Sequence, residues 1–252
     1  MASSGNTAKS VFLTGASGGL GEGMARGFAR RGYALALTAR RTDKLEALAA
    51  ELRTGGAANV IVRGLDVTDF ASVPRVLNEA ADALGGLDIV IANSGIGGST
   101  PIGKGAFDAA RQVVETNLLG AMATIDAAVE LFYRQRRGHV VGVTSVAAVR
   151  GLPNQGAYSA SKSGLSRYLE AVRAEVAGSG IRVSDLAPGF IDTEINRHMP
   201  SRPFVVSAET GTEAMVSMIE GGTGFAYVPR MPWTVLAQLL KVLPARLLTV
   251  TR

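Results

Sequence analysis

The chain of 252 residues contains no cysteine. Disulfides, thiolate-bound metals and a cysteine nucleophile are thereby excluded, while the redox compartment stays open and compatible with the cytosol. Histidine is almost as scarce. His139 and His198 lie far apart, so no His-rich cluster can be written and no metal site is expected, although carboxylates alone can hold a hard cation. No apolar run approaches the roughly 18 to 20 residues that span a bilayer as a helix. The polar, small opening residues lack the basic and apolar regions of a secretory signal, so export is not expected. Charge is sparse and unevenly placed. The formal net charge is +5, yet the stretch 221–252 has no acidic residue and carries Arg230, Lys241, Arg246 and Arg252. The rest is nearly neutral, so no nucleic-acid footprint is indicated.

What the chain does have is hydrophobic residues, 47% of the total, in two alternating patterns. Short apolar runs at 11–14, 34–39, 60–65, 89–93, 139–144, 182–186 and 224–227 read as strands covered on both faces. Between them, 20–31, 44–53, 73–84, 107–136 and 157–177 carry apolar residues at helical spacing. Strand and helix alternate without linker or repeat, which predicts an α/β fold: a Rossmann-type, doubly wound parallel sheet of about seven strands, with helices on both faces. A single domain over 1–252 is expected.

Directly after the first strand stands Thr14-Gly15-Ala16-Ser17-Gly18-Gly19-Leu20-Gly21, leading into a helix. Small residues let the backbone approach a pyrophosphate, and the helix offers unpaired N–H groups at the positive end of its dipole. The glycines are spaced T-G-x-x-x-G-x-G, and a tight strand-to-helix connection is the plainer reading of such a turn. At the end of the second strand an acidic side chain would bind ribose hydroxyls and repel a 2′-phosphate; here the residues are Arg40 and Arg41. Two guanidinium groups suit a phosphate, so NADP(H) is expected in preference to NAD, unless the pair is simply a solvated helix start.

Further along, Ser145 ends a strand, and the helix after it carries Tyr158 and Lys162. The four-residue spacing stacks phenol and ammonium on one helical face. A free tyrosine has a pKa of about 10, and a neighbouring cation lowers it, so the phenol becomes usable as acid or base. An isolated pair of this kind would be unremarkable on a helix surface.

The pair is not isolated: in its ordered motifs the chain resembles the short-chain dehydrogenase/reductase family. The glycine motif matches Thr14 to Gly21, the acid after the third strand matches Asp66, and the N-A-G element reads Asn93-Ser94-Gly95. The family's asparagine corresponds to Asn117, its serine to Ser145, its Y-x-x-x-K to Tyr158 and Lys162, and its element after the sixth strand to Pro188-Gly189-Phe190-Ile191-Asp192-Thr193. The resemblance implies hydride transfer between a nicotinamide and a small-molecule carbonyl or alcohol. Ser145 would hold the substrate oxygen and Tyr158 would pass the proton. Lys162 would lower the Tyr158 pKa and bond the nicotinamide ribose, while Asn117 would anchor a water of the proton relay. The cofactor would lie along Gly15, Ser17, Gly18, Gly19, Leu20, Gly21, Arg40 and Arg41. Asp66 and Val67 would take the adenine, with Asn93 and Gly95 beside them, and Pro188, Gly189, Ile191 and Thr193 the carboxamide end. A homodimer or homotetramer is implied, built on the helices 107–136 and 157–177. A non-catalytic dinucleotide sensor or scaffold of the same fold is the contrasting reading, and the intact Asn117, Ser145, Tyr158 and Lys162 argue against it.

The segment of about 190–220 would close over the substrate, and its Ile195, Met199, Phe204, Val205, Val206, Met215 and Met218 suit a bulky apolar ketone or alcohol, or else pack on the core. His198 could touch substrate. The extension of about 228–252 is apolar and basic, with Trp233 and with Leu236, Leu239, Leu240 and Leu243 on one helical face before Pro244. It would pack over the cleft or a partner subunit, or make a peripheral membrane contact from a cytoplasmic protein.

Overall fold

The computed structural model describes residues 8–197, 199 and 201–244; His198, Arg246 and Arg252 fall outside these residues. Seven strands follow in chain order as β1 (Ser10–Thr14), β2 (Ala34–Ala39), β3 (Asn59–Gly64), β4 (Ile89–Ala92), β5 (Gly138–Val143), β6 (Ile181–Pro188) and β7 (Phe225–Val228). They form one parallel sheet in the order β3-β2-β1-β4-β5-β6-β7. Its register sets Phe12 between Ala36 and Val90, and Val141 between Ile91 and Ser184. Chain order reverses beside β1, where β4 pairs on the side away from β2, and this opens a crevice at the carboxyl ends of the strands.

The crossover helices are α1 (Gly19–Arg30), α2 (Thr42–Thr54), α3 (Ser72–Leu84), α4 (Phe107–Val114), α5 (Gly120–Gln135), α6 (Gly156–Glu175) and α7 (Ala208–Glu220), with α8 (Arg230–Val242) after the last strand. One face of the sheet is covered through Met24, Phe28, Leu45, Leu48, Met215 and Ile219. The other is covered through Val73, Leu77, Ile125, Phe132, Leu165 and Leu169. β1 and β2 are buried throughout, which is why they read as unbroken apolar runs. Each fully buried large side chain, Phe12 and Phe132 among them, contributes about 1.5 to 3 kcal/mol.

Two predicted elements are corrected. The stretch 107–136 is not one α-helix: α4 and α5 are joined by a π-helical turn, Glu115–Leu119, in which the Gly120 N–H reaches back to the Glu115 carbonyl. A wider turn keeps nearly the same apolar spacing, so periodicity does not reveal it. The second half of the expected lid is helix α7, whose Met215, Val216 and Ile219 are fully buried. Arg30 of α1 and Arg31 just after it pair with Glu213 and Glu220 of α7 at 3.0 and 2.8 Å. Met215 is therefore a core side chain, and Met218 packs half-buried against that core.

His139, 1% exposed on β5, meets the Ser184 hydroxyl through Nε2 at 2.7 Å, while that hydroxyl donates to the Thr223 carbonyl at 2.5 Å. The imidazole must then carry its proton on Nε2, and Nδ1 has no partner. Burial, with a smaller push from Arg182, lowers the His139 pKa to about 4. Between pH 6.5 and 4 the unfolded chain takes up a proton that the folded chain refuses, so stability is full above this window and falls through it. The loss is about 3 kcal/mol. Urea midpoints at pH 7 and pH 4 should therefore fall less in His139→Gln than in the wild type; equal falls would remove this residue from the acid response.

Candidate active site

The crevice holds a cavity of about 870 Å³ running from the glycine turn to α8. Its polar end is built on the end of β1. Gly15 and Gly19 take left-handed φ values of +67° and +55°. Gly21 is required by close approach: a Cβ there would lie 2.2 Å from the Gly15 carbonyl oxygen and 2.9 Å from the Asn93 amide nitrogen. No side chain caps the start of α1, so its first-turn N–H groups remain available at the turn. Asn93 fixes the turn from β4, its side-chain amide donating to the carbonyls of Thr14 at 2.9 Å and Gly15 at 3.3 Å.

Arg41 crosses the same turn and donates to the Ser17 carbonyl at 3.2 Å and to its hydroxyl at 3.3 Å. Asp66 accepts from the Thr68 backbone at 3.0 Å and its hydroxyl at 2.8 Å. Burial disfavours the Asp66 carboxylate, but these bonds and the charge of Arg40 outweigh it and hold the group below its usual range. A Gly-lined cradle, free helix N–H groups, two arginines and an ionised acid make a donor and acceptor set that fits a dinucleotide.

At the inner end three predicted residues converge. Ser145 stands two residues past β5 and accepts from the Ala147 N–H at 3.1 Å. Tyr158 and Lys162 follow on α6, one turn apart. Lys162, 5% exposed, donates to the Val143 carbonyl at 2.8 Å, and burial pushes it down to about 8, Asp185 acting in the opposite sense. The Tyr158 phenol departs from the expectation of a lowered pKa. Burial pushes it up, and the polar influence of Ser145 offsets only part of this.

Two predicted residues stand behind the wall. Gly21 supports the turn as described. Asn117 is fully buried on the π-helical turn, where its Oδ1 accepts from the Ile96 N–H at 2.8 Å and its amide donates to the Ile96 carbonyl at 2.9 Å. Its side chain therefore clamps the loop after β4. The remaining predicted residues, Gly15, Ser17, Gly18, Gly19, Leu20, Arg40, Arg41, Asp66, Val67, Asn93, Gly95, Pro188, Gly189, Ile191 and Thr193, all line the cavity.

The far end is apolar. Ile195, Met199 and Phe204 of the lid line it, together with Trp233, Leu236 and Leu240 of α8. Trp233 lies on Phe190 and edge-on to Phe204, at ring separations of 5.9 and 6.2 Å. Its pyrrole edge fills the space of a Cβ at Gly189, which would stand 2.1 Å from Nε1. Arg150 donates to the Leu240 carbonyl at 2.8 Å and also bonds Leu243, fastening the end of α8 over the opening. The extension, as far as residue 244, thus packs over the cleft. Of the predicted leucine face, Leu236 and Leu240 point inward and Leu239 is exposed. No helix among the described residues is long and apolar enough to cross a membrane.

Sequence reasoning passed over Arg150 and Asp185. Arg150 had no signal, since its partners are main-chain carbonyls. Asp185 had one: an acid in the middle of a predicted strand.

Comparison with known proteins places these features. The family model described as short chain dehydrogenase matches residues 9–203. The chain is 44% identical over 245 residues to an uncharacterised oxidoreductase of Mycobacterium tuberculosis, covering 96% of this chain and 97% of that one. It is 31% identical over 190 residues to the NADP-dependent 3-hydroxy acid dehydrogenase of Schizosaccharomyces pombe, covering 75% and 73%. The solved alcohol dehydrogenase of Thermococcus sibiricus, complexed with 5-hydroxy-NADP, superposes with a TM-score of 0.76 at 31% identity, covering 84% and 90%.

Proposed function

The chain belongs to the short-chain dehydrogenase family, and from that premise we propose that it is an NADP(H)-dependent oxidoreductase acting on a hydrophobic ketone, aldehyde or secondary alcohol. The observation that carries this reading is the meeting of Ser145, Tyr158 and Lys162 between a dinucleotide cradle and an apolar end closed by α8. When bound, the nicotinamide supplies or takes up the hydride.

The chain's own residues do the rest. Ser145 bonds the substrate oxygen, and Tyr158 gives its proton to that oxygen in reduction, a general-acid contribution of about 10² to 10⁴-fold. A phenol held above its ordinary pKa stays protonated through the neutral range, which is the form that donates. Lys162, with a pKa of about 8, is mostly an ammonium at pH 7 and can bond the nicotinamide ribose. Asn117, its side chain engaged with Ile96 through both amide atoms, can serve a proton relay through its main chain. Ile195, Phe204 and Trp233 keep water from the apolar end.

Arg40 and Arg41 support the 2′-phosphate. Arg41→Ala should weaken NADPH binding roughly ten-fold and leave NADH binding unchanged, by fluorescence titration; an equal loss for both cofactors would contradict the assignment. Exposed Phe107, Leu119 and Tyr133 support a homodimer or homotetramer through α4 and α5. The outward face of α8, where Met231, Val235 and Leu239 are exposed near Arg230 and Lys241, supports a peripheral membrane contact. The substrate class is tested by NADPH consumption against carbonyls graded from small and polar to long-chain and polycyclic. Turnover confined to the bulky apolar members is expected, and turnover confined to small polar ones would overturn the class.

A further inference from the structure

Among the described residues Asp185 is the only buried carboxylate and Lys162 the only buried lysine or arginine, at 3% and 5% exposure. Charges removed from water cost several kcal/mol each unless they are paired or well bonded, so two in one sheet-helix seam require a reason. Asp185 lies on β6, opposite Gly142 of β5. Its Oδ1 accepts from the Thr144 hydroxyl at 2.5 Å and its Oδ2 from the Ser166 hydroxyl at 2.6 Å.

Both donors are attached to the reacting groups. Thr144 stands between Val143, whose carbonyl receives the Lys162 ammonium, and Ser145. Ser166 lies one helical turn beyond Lys162, on the same face of α6. One carboxylate therefore joins the strand end that presents Ser145 to the helix that presents Tyr158 and Lys162.

Geometry alone does not demand a charge here, because an asparagine could bond two hydroxyls. Burial works against the Asp185 carboxylate and raises its pKa, opposed by its bonds to Ser166 and Thr144 and by Arg173 and Arg167. The charges of Arg173 and Arg167 on α6 act on Asp185, and Asp185 acts on Lys162 of α6 and Tyr227 of β7; Thr144, just past β5, offers its hydroxyl. Arg173 is occupied by the carbonyls of Val183 at 3.3 Å and Gly224 at 2.7 Å, and Arg167 pairs with Glu170. Lys162 has Tyr158 on its own helix and, among the described residues, no acid acting on it but Asp185.

We propose that Asp185 is a positioning residue for the reacting pair: its carboxylate fastens the end of β5 to α6, and its negative charge keeps the Lys162 amine an ammonium. This rests on reading Tyr158 and Lys162 as the reacting pair, but its test needs neither substrate nor cofactor, so the two can fail separately.

The chain has five lysines, Lys9, Lys44, Lys104, Lys162 and Lys241. With ¹³Cε-labelled lysine in the full chain, each gives one resonance, and Lys162→Arg assigns the one that matters. In the wild type Lys162 should titrate near 8. In Asp185→Asn, which keeps size and most hydrogen bonding, its midpoint should fall by about one pH unit while the other four stay fixed. An unmoved Lys162 midpoint in the folded variant overturns the proposal. Should Asp185→Asn fail to fold, the wild type decides: the Lys162 resonance must show a second, acidic step as Asp185 takes up its proton, and a single step overturns the proposal.

Discussion

Tyr158→Phe is expected to lower NADPH-dependent carbonyl reduction by at least about 10²-fold while leaving NADPH binding nearly unchanged. The substitution removes one oxygen and keeps the ring, so it opens no cavity in α6. It also leaves no orphan, because Ser145 retains the Ala147 N–H at 3.1 Å and the Pro188 carbonyl at 3.5 Å. What disappears is the proton that the burial-raised phenol holds through the neutral range. Absorbance at the NADPH band reads the rate, and fluorescence titration reads the binding. A rate within ten-fold of the wild type would assign the proton to another group, and parallel loss of both would make Tyr158 a binding residue.

Gly21→Ala should be as severe by a different route. The added methyl would stand 2.2 Å from the Gly15 carbonyl oxygen, a backbone atom that cannot turn aside as a side chain does. Either α1 moves off β1 or the turn deforms. Overpacking of this kind costs about 1 to 3 kcal/mol or more, which lowers Tm by roughly 5 to 10 °C. NADPH affinity should fall with it, since the turn that carries the free N–H groups is displaced. Gly151→Ala is the control, for nothing lies within 4 Å of a Cβ there. Equal thermal shifts in the two variants would show that close packing at Gly21 does not matter.

Most of the sheet could be read in the sequence because strands buried on both faces cannot alternate polar and apolar residues; β1, β2 and β5 announce themselves this way. Strand ends were less legible. β6 runs on to Pro188, past the predicted 186, because its last residues still pair with β7 through Ala187↔Tyr227 and Pro188↔Val228. The site was legible where chemistry dictates residue type: glycine where φ is positive or backbones touch, and tyrosine and lysine one helical turn apart.

It was illegible where a residue acts through the fold. Asn117 was picked out for a relay; that its amide also clamps Ile96 could not be read, because a π-helical turn leaves no trace in apolar spacing. Met215 was left open between lid and core and is core, since a methionine's role depends on what packs against it. α8 left packing over the cleft, packing on a partner subunit and a membrane contact open. As far as residue 244 it packs over the cleft, where Arg150 bonds the carbonyls of Leu240 and Leu243, contacts that no side-chain pattern encodes.

The central claim, that this cleft passes hydride between a nicotinamide and a carbonyl carbon, is tested most directly with NADPH deuterated on the transferred position of its ring and a bulky apolar ketone. Mass spectrometry of the alcohol should find one deuterium on the former carbonyl carbon, formed by the wild type and not by Tyr158→Phe. Consumption of NADPH with no deuterium in the alcohol, or label delivered equally well by Tyr158→Phe, would contradict the account.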